Sequence, residues 1–361
     1  DIYSDAKNIT VRDNVALNCR EQFMRIGTCV DTEVSGNTVT IAAEADTTYS
    51  TLTIESGSFP AVGNPVCKRL RIFNNSIIDA AQRQAYAIGV VCYDWGAAPV
   101  DVEISGNNIS GCNTAFVVEG PYDGLRFVRN TVSDVVALLR TSFQDSGGTD
   151  LTLTTTLGTQ ENSVARGLMV DDNDVALRTS SVAVPISIST DRTTNFTGTV
   201  GTAYLRRNRI RCITPGTTIA VNAIFDASVA QGRLVARDNQ IEGYTTPFYI
   251  RSMLRASLTD NHAPGYTALL NASSASYGTL DALGNRKSDG ARSGTATLVG
   301  GTVTVNTAEI HTADLVRLTR LTLGGTAGNI DLGTITSGTS FVIDSDNAAD
   351  TSVVTWEIVG R

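Results

Sequence analysis

The sequence predicts an all-β chain: a right-handed parallel β-helix followed by a small antiparallel β-sandwich. Three observations carry this. A six-residue pattern recurs along most of the chain: an apolar residue, two polar residues, Asn, any residue, then an apolar residue. Its shortest spacings cluster at 22–24 residues, the period of one solenoid turn. After about Arg292 the pattern stops and strict alternation with glycine-rich turns replaces it.

The repeat is anchored on Asn14, Asn37, Asn75, Asn107, Asn130, Asn173, Asn208, Asn239, Asn261 and Asn285. Instances read VSGNTV at 34–39, IFNNSI at 72–77, ISGNNI at 104–109, FVRNTV at 127–132, VDDNDV at 170–175 and LRRNRI at 205–210. The flanking apolar residues, such as Ile104 and Ile109, are expected to point inward. The Asn is expected at the bend between two short strands. Asn tolerates left-handed backbone angles, and stacked Asn side chains can hydrogen-bond from coil to coil. Leucine-rich repeats share the period but need Leu at fixed positions and a helix per unit, and neither occurs here. Ala263 and Lys287 replace the second apolar residue in the last copies, so the helix tapers there.

Bulk properties exclude several function classes. The chain has 361 residues and a net charge of −8, with no Lys/Arg cluster to meet a nucleic-acid backbone. It has no run of 18 apolar residues, so no helix-spanning segment is predicted. Six cysteines at 19, 29, 67, 92, 112 and 212 show no CxxC and no neighbouring His, and are read as small buried hydrophobes. The run Asp171–Asp174 (DDND) has the composition of a Ca²⁺ site but overlaps the Asn motif, so no metal and no cofactor are predicted. The opening DIYSDAKNIT lacks Met and a signal-peptide core and leads straight into the repeat. It reads as the start of a fragment whose N-terminal part is missing.

Two domains are expected: 1–291, a β-helix, and 292–361, a β-sandwich that caps or oligomerises it. The latter reads SGTATLVGGTVTVNTAEI and GNIDLGTITSGTSFVIDSDNAADTSVVTWEIVGR. Together, the coil motif and this terminal segment resemble bacteriophage tailspike proteins. The resemblance implies a homotrimer carried on the virion tail. It would be assembled in the host bacterial cytoplasm and act outside the cell. Its substrate would be a bacterial surface polysaccharide, O-antigen or capsule, which it binds and cleaves. No tailspike motif transfers residue by residue, so the site is argued from chemistry.

Downstream of each Asn a second apolar run ends in a carboxylate: AIGVVCYDWG (87–96), AFVVEGPYDG (115–124), ALLRTSFQDSGG (137–148), VPISISTD (184–191) and IAVNAIFD (219–226). Stacked strands lie ~4.8 Å apart. Adjacent coils therefore bring carboxylates near the ~5–5.5 Å of a retaining glycosidase, and alternate coils near the ~6.5–9.5 Å of an inverting one. Asp94, Glu119, Asp123 and Asp145 are the candidate catalytic set. Trp95, Tyr93 and Tyr122 are candidate sugar platforms. Arg140 is placed beside Glu119 on the next coil, and Asp191 is a further candidate substrate ligand. Aspartate also caps turns, and Asp-Gly at 123–124 is ordinary turn chemistry. Long Ser/Thr-rich insertions in the coils 37–75, 130–173 and 173–208 are candidate groove walls or trimer contacts.

Three rival functions stay open on the sequence. A lyase of the same fold would take a proton beside a uronate carboxyl, with Arg83, Arg140 or Lys68 as possible bases. A spike that binds without cleaving would retain binding and show no turnover. A pectin-type cellular enzyme would be a monomer.

Overall fold

The structure, a computed structural model, describes residues 6–43, 50–56, 66–82, 84–92, 97–142, 164–178, 184–189, 199–212, 219–224, 232–251, 253–264, 270–271, 277–282, 284–285, 292–307, 309–310, 312 and 314–359. Two compact units divide the chain. One is Asp1–Leu258 with Tyr266–Asp281, and the other is Thr259–Gly265 with Ala282–Arg361.

The first unit is a parallel β-helix. Among the described residues its strands stack into three parallel sheets of twelve, eight and nine strands. Each coil supplies one strand to each sheet in turn. The coil around Asn107 gives Val100–Ser105 to the first sheet, Asn108–Ser110 to the second and Thr114–Glu119 to the third.

The apolar residues that bracket each Asn do point inward. Val34, Ile72, Ile104, Phe127, Val170 and Leu205 are buried in the first sheet, and Val39, Ile77, Ile109, Val132, Val175 and Ile210 in the second. They lie in register from coil to coil, as Ile72, Ile104 and Phe127 do. Burying each such side chain contributes roughly 1.5–3 kcal/mol, and stacking is what makes the burial possible. The third sheet adds an inward row through Leu52, Ile88, Phe116, Leu139, Ile186, Val221 and Phe248.

The Asn column forms an unbroken amide ladder from Asn14 to Asn239. Each side-chain nitrogen donates to the Oδ1 of the next Asn at 2.8–3.0 Å. The backbone N–H of each donates to that same oxygen, as Asn75 does to Asn107 at 3.0 Å. Its second amide hydrogen reaches main-chain carbonyls, such as those of Val34 and Phe73 for Asn75. A step of the same kind joins Asn261 to Asn285 at 2.9 Å.

The left-handed residue is not the Asn itself. It is the residue before it: Asp13, Gly36, Asn74, Gly106, Arg129, Asp172, Arg207, Asp238, Asp260 and Gly284, all with φ between 54° and 68°. That bend turns the chain so that the following Asn enters the interior. Its amide is then satisfied by its stacked neighbours rather than by water.

None of the six cysteines is joined in a disulfide, and all but Cys19 are buried. The DDND run directs its carboxylates to arginines: Asp171 to Arg206, Asp172 to Arg207 at 2.7 Å and Asp174 to Arg211 at 2.8 Å.

The second unit holds two antiparallel three-stranded sheets. One orders Ser293–Thr297, Val353–Val359 and Leu315–Thr322. The other orders Thr302–Asn306, Ser340–Ser345 and Ile330–Thr336. Leu298, Val305, Phe341, Ile343, Val354, Trp356 and Ile358 form one core, with the Phe341 and Trp356 rings edge-on at 5.4 Å. Asp350 fastens the connecting loops. It is fully buried and accepts from Arg320 (2.6 Å), the Ser345 hydroxyl (2.9 Å) and the backbone N–H groups of Gly328 (3.0 Å) and Ser352 (2.9 Å). Hydrogen bonding from the Ser352 side chain first, and then from these backbone N–H groups and the Ser345 hydroxyl, holds its carboxyl well below the usual carboxylate range.

Candidate active site

The third sheet carries the runs on which the sequence places the carboxylates. Of the nine candidate residues, Tyr93, Asp94, Trp95, Asp145 and Asp191 lie outside the described residues. The other four divide between two sheets.

Glu119 ends the strand Thr114–Glu119 and is half-buried on the outer face of the third sheet. Asp123 does not stack with it. Gly120 turns the chain at φ 91°, where a Cβ would meet the Cys92 carbonyl oxygen at 2.6 Å. The next strand, Tyr122–Val128, therefore belongs to the first sheet. There Asp123 is engaged by Arg166 through two hydrogen bonds of 2.9 and 2.8 Å, which raise the pKa of that guanidinium further.

Tyr122 offers no ring to a sugar. It is 2% exposed, points into the core, and burial pushes its phenol well above its ordinary pKa. Arg140 is also out of the expected position. In register it stands opposite Val117 and Ser187, whereas Glu119 stands opposite Ser142. Arg140 and Glu119 are thus two residues out of step along adjacent strands, on the same outer face.

The register reveals a carboxylate that the sequence reading missed. Gly27, Glu55, Val91 and Glu119 occupy one outward column on four successive strands. Glu55 and Glu119 are therefore separated by about twice the ~4.8 Å strand spacing, with Val91 between them. Glu55 is 3% exposed and pairs with Arg25 at 2.7 Å. A charged side chain inside Ser50–Ser56, every residue of which is buried, is the signal that marks it. The sequence pattern places this stretch in the insertion of the coil 37–75.

Two residues along, a second outward column runs through Arg25, Thr53, Gly89, Val117, Arg140, Ser187, Asn222 and Tyr249. Thr53 and Val117 are buried. From Arg140 onward the column is polar and half-exposed, giving one hydrogen-bonding side chain per coil. The outer face thus combines a carboxylate pair at one end with a polar row at the other.

Residues 290–359 match the family described as K1 capsule-specific polysaccharide lyase, C-terminal domain. No curated protein matches the chain. Among solved structures it is similar to a double-mutant tailspike protein of E. coli bacteriophage HK620, at 10% identity and a TM-score of 0.39, covering 98% of this chain and 65% of that one. It is also similar to the tailspike protein gp49 of Pseudomonas phage LKA1, at 12% identity and a TM-score of 0.36, covering 97% of this chain and 67% of that one. A third is the Dettilon tailspike protein gp208, at 9% identity and a TM-score of 0.25, covering 98% and 88%. The chain spans 65% of the length of the HK620 protein.

Proposed function

We propose that this protein is a bacteriophage tailspike that binds a bacterial surface polysaccharide, O-antigen or capsule, and cleaves it internally by glycoside hydrolysis. The observation that carries the reading is the outward column holding Glu55 and Glu119 two coils apart. That separation brings the carboxyl groups into the ~6.5–9.5 Å range of an inverting hydrolase once the side chains lean toward each other. A rigid solenoid suits the task, because its ~4.8 Å repeat presents successive polar side chains to successive units of a repeating polymer. In this reading Glu119 and Glu55 are the reacting carboxylates. Asp94 and Asp145, which follow the neighbouring strands in sequence, complete the set for mutagenesis, and Arg140, Ser187, Asn222 and Tyr249 hold sugar hydroxyls.

The match of residues 290–359 to a domain named for a capsule lyase supports the class of substrate and favours β-elimination as the second reading. Arg140 would then be the residue to test as base. The same module supports a homotrimer. Leu315, 67% exposed, pairs in register with the exposed Val359, and Leu321 and Leu323 are 62% and 73% exposed. Such apolar surface is what a subunit contact would cover, and sedimentation of the native protein reads the oligomeric state directly.

The test is a pair of isosteric variants assayed on a cleavable polysaccharide. Glu119→Gln and Glu55→Gln are each expected to lower kcat by ~10²–10⁴-fold with the fold intact. Full activity in both would remove the carboxylate pair from the mechanism.

A further inference from the structure

The three coils that carry Glu55, Val91 and Glu119 on the third sheet carry a second arrangement on the first. Their strands there are Val30–Ser35, Lys68–Phe73 and Val100–Ser105. The outer strands share one pattern, Asp-x-Glu-x-Ser, and the middle one reads Arg-x-Arg-x-Phe. In register, Arg71 lies between Glu33 and Glu103, and Phe73 lies between Ser35 and Ser105. Asp31, Glu33, Arg69, Arg71, Asp101 and Arg126 line a cleft of about 350 Å³, within the ~300–1,000 Å³ range of small-molecule sites, and the register sets Glu103 and Phe73 beside it.

The polar groups in this cleft are unevenly satisfied. Arg69 holds both oxygens of Asp31 at 2.6 and 2.8 Å. Arg126 holds Asp101 at 2.7 Å and reaches Glu103 at 3.5 Å. Glu33 and Glu103 each accept from a serine on their own strand, Ser35 at 3.2 Å and Ser105 at 2.9 Å. Arg71 has a carboxylate on each flanking strand and, among the described residues, an ion pair with neither. Its guanidinium instead lies 5.4 Å from the centre of the Phe73 ring. That contact keeps the planar donor array beside the ring, and Arg71 itself lines the cleft.

We propose that this cleft is a second saccharide site, which takes a neutral pyranose unit by its neighbouring hydroxyls. An anion would approach Arg71 only against Glu33 and Glu103. A cation would meet three guanidinium groups. A hydroxyl pair accepts from Arg71 and donates to Glu33 or Glu103 at the same time, matching the alternation of donor and acceptor across ~4.8 Å steps. Because the cleft lies on the same three coils as the carboxylate pair, a polymer engaged at both gains effective concentration at the second contact. The inference rests on the polysaccharide reading, but its test does not require cleavage.

Saturation-transfer NMR with the methyl glycosides of glucose, galactose, mannose and rhamnose, and with sodium glucuronate and inorganic phosphate as anionic controls, tests it. At least one methyl glycoside is expected to receive saturation from the wild-type protein and from Glu119→Gln. That signal should fall at least fivefold in Arg71→Ala, whose exposed side chain can be removed without touching the core, so unfolding temperature should stay unchanged. Glu103→Gln, which keeps the shape and one acceptor, should weaken it less. A signal equal in Arg71→Ala and wild type overturns the proposal. So does the absence of any glycoside signal, or displacement of the glycoside by glucuronate or phosphate. Loss of cleavage in Glu119→Gln with glycoside binding retained at Arg71 separates this site from the reacting one. Failure of every cleavage assay leaves the glycoside result standing on its own.

Discussion

The solenoid and the C-terminal module solve the same problem, satisfying buried polar groups, in opposite ways. In the solenoid the work is spread over a column of identical amides, each bonded to the next coil. In the module it is concentrated on one carboxylate, Asp350, which receives donors from three separate segments. A distributed ladder confines the loss of a rung to its neighbours and does not titrate. A single hub does neither. A solenoid that grows one coil at a time suits the first design, and a small module with a core of its own can rely on the second.

The largest effect should come from Asp350→Ala. It removes the carboxylate partner of the half-buried Arg320 and releases both loops, so the module's cooperative transition should be lost. Emission from Trp356, which is nearly buried against Phe341, should shift to the red while the solenoid's far-ultraviolet signal persists. A module that melts normally would show that the hub is dispensable.

Next in size is a rung from the middle of the ladder. Asn107→Ala removes donors to Ile72 and Asn130 and the acceptor used twice by Asn75. Leaving such groups buried and unpaired costs roughly 2–4 kcal/mol. Asn14→Ala at the exposed end of the column should cost no more than about 1 kcal/mol, because water replaces the lost partner. Denaturant melts of the two variants give the difference, and equal losses would show that the ladder is not cooperative along its length.

Acid sharpens the contrast further. The folded-state pKa of Asp350 is depressed, so its contribution is fully present above the unfolded value of ~3.9 and is lost as pH falls below it toward the folded value. The module should therefore lose stability below about pH 4, whereas the amide ladder has nothing to titrate there. The exposed pairs Asp31–Arg69 and Asp172–Arg207 also have depressed carboxyls, but exposed pairs contribute little. Melting curves between neutral and acid pH, read at Trp356 and by circular dichroism, measure this. Parallel losses in both units would contradict it.

Much of the solenoid was legible because the Asn motif repeats the same physical requirement at every coil. The inward residues, the amide ladder and the change of texture after Arg292 follow from pattern alone. The pattern alone puts the bend one residue late, since Asn is the usual left-handed residue in a sequence, yet here Arg129 and Arg207 take that conformation. The site was less legible because it depends on register, which loops of unequal length conceal. Gly120 moves Asp123 and Tyr122 onto a different sheet, where the alternation restarts and Tyr122 faces inward. Glu55 is hidden in sequence because its stretch reads as the insertion of the coil 37–75. Only strand pairing shows that it shares a column with Glu119.

The central claim is hydrolysis of a bacterial surface polysaccharide by carboxylates on the third sheet. Mass spectrometry of polysaccharide incubated with the native protein tests it most directly. The account predicts shortened fragments, each cut adding one water, with no rise in ultraviolet absorbance from an unsaturated uronate. Unsaturated fragments, or intact polymer across a broad panel of O-antigens and capsules, would contradict it.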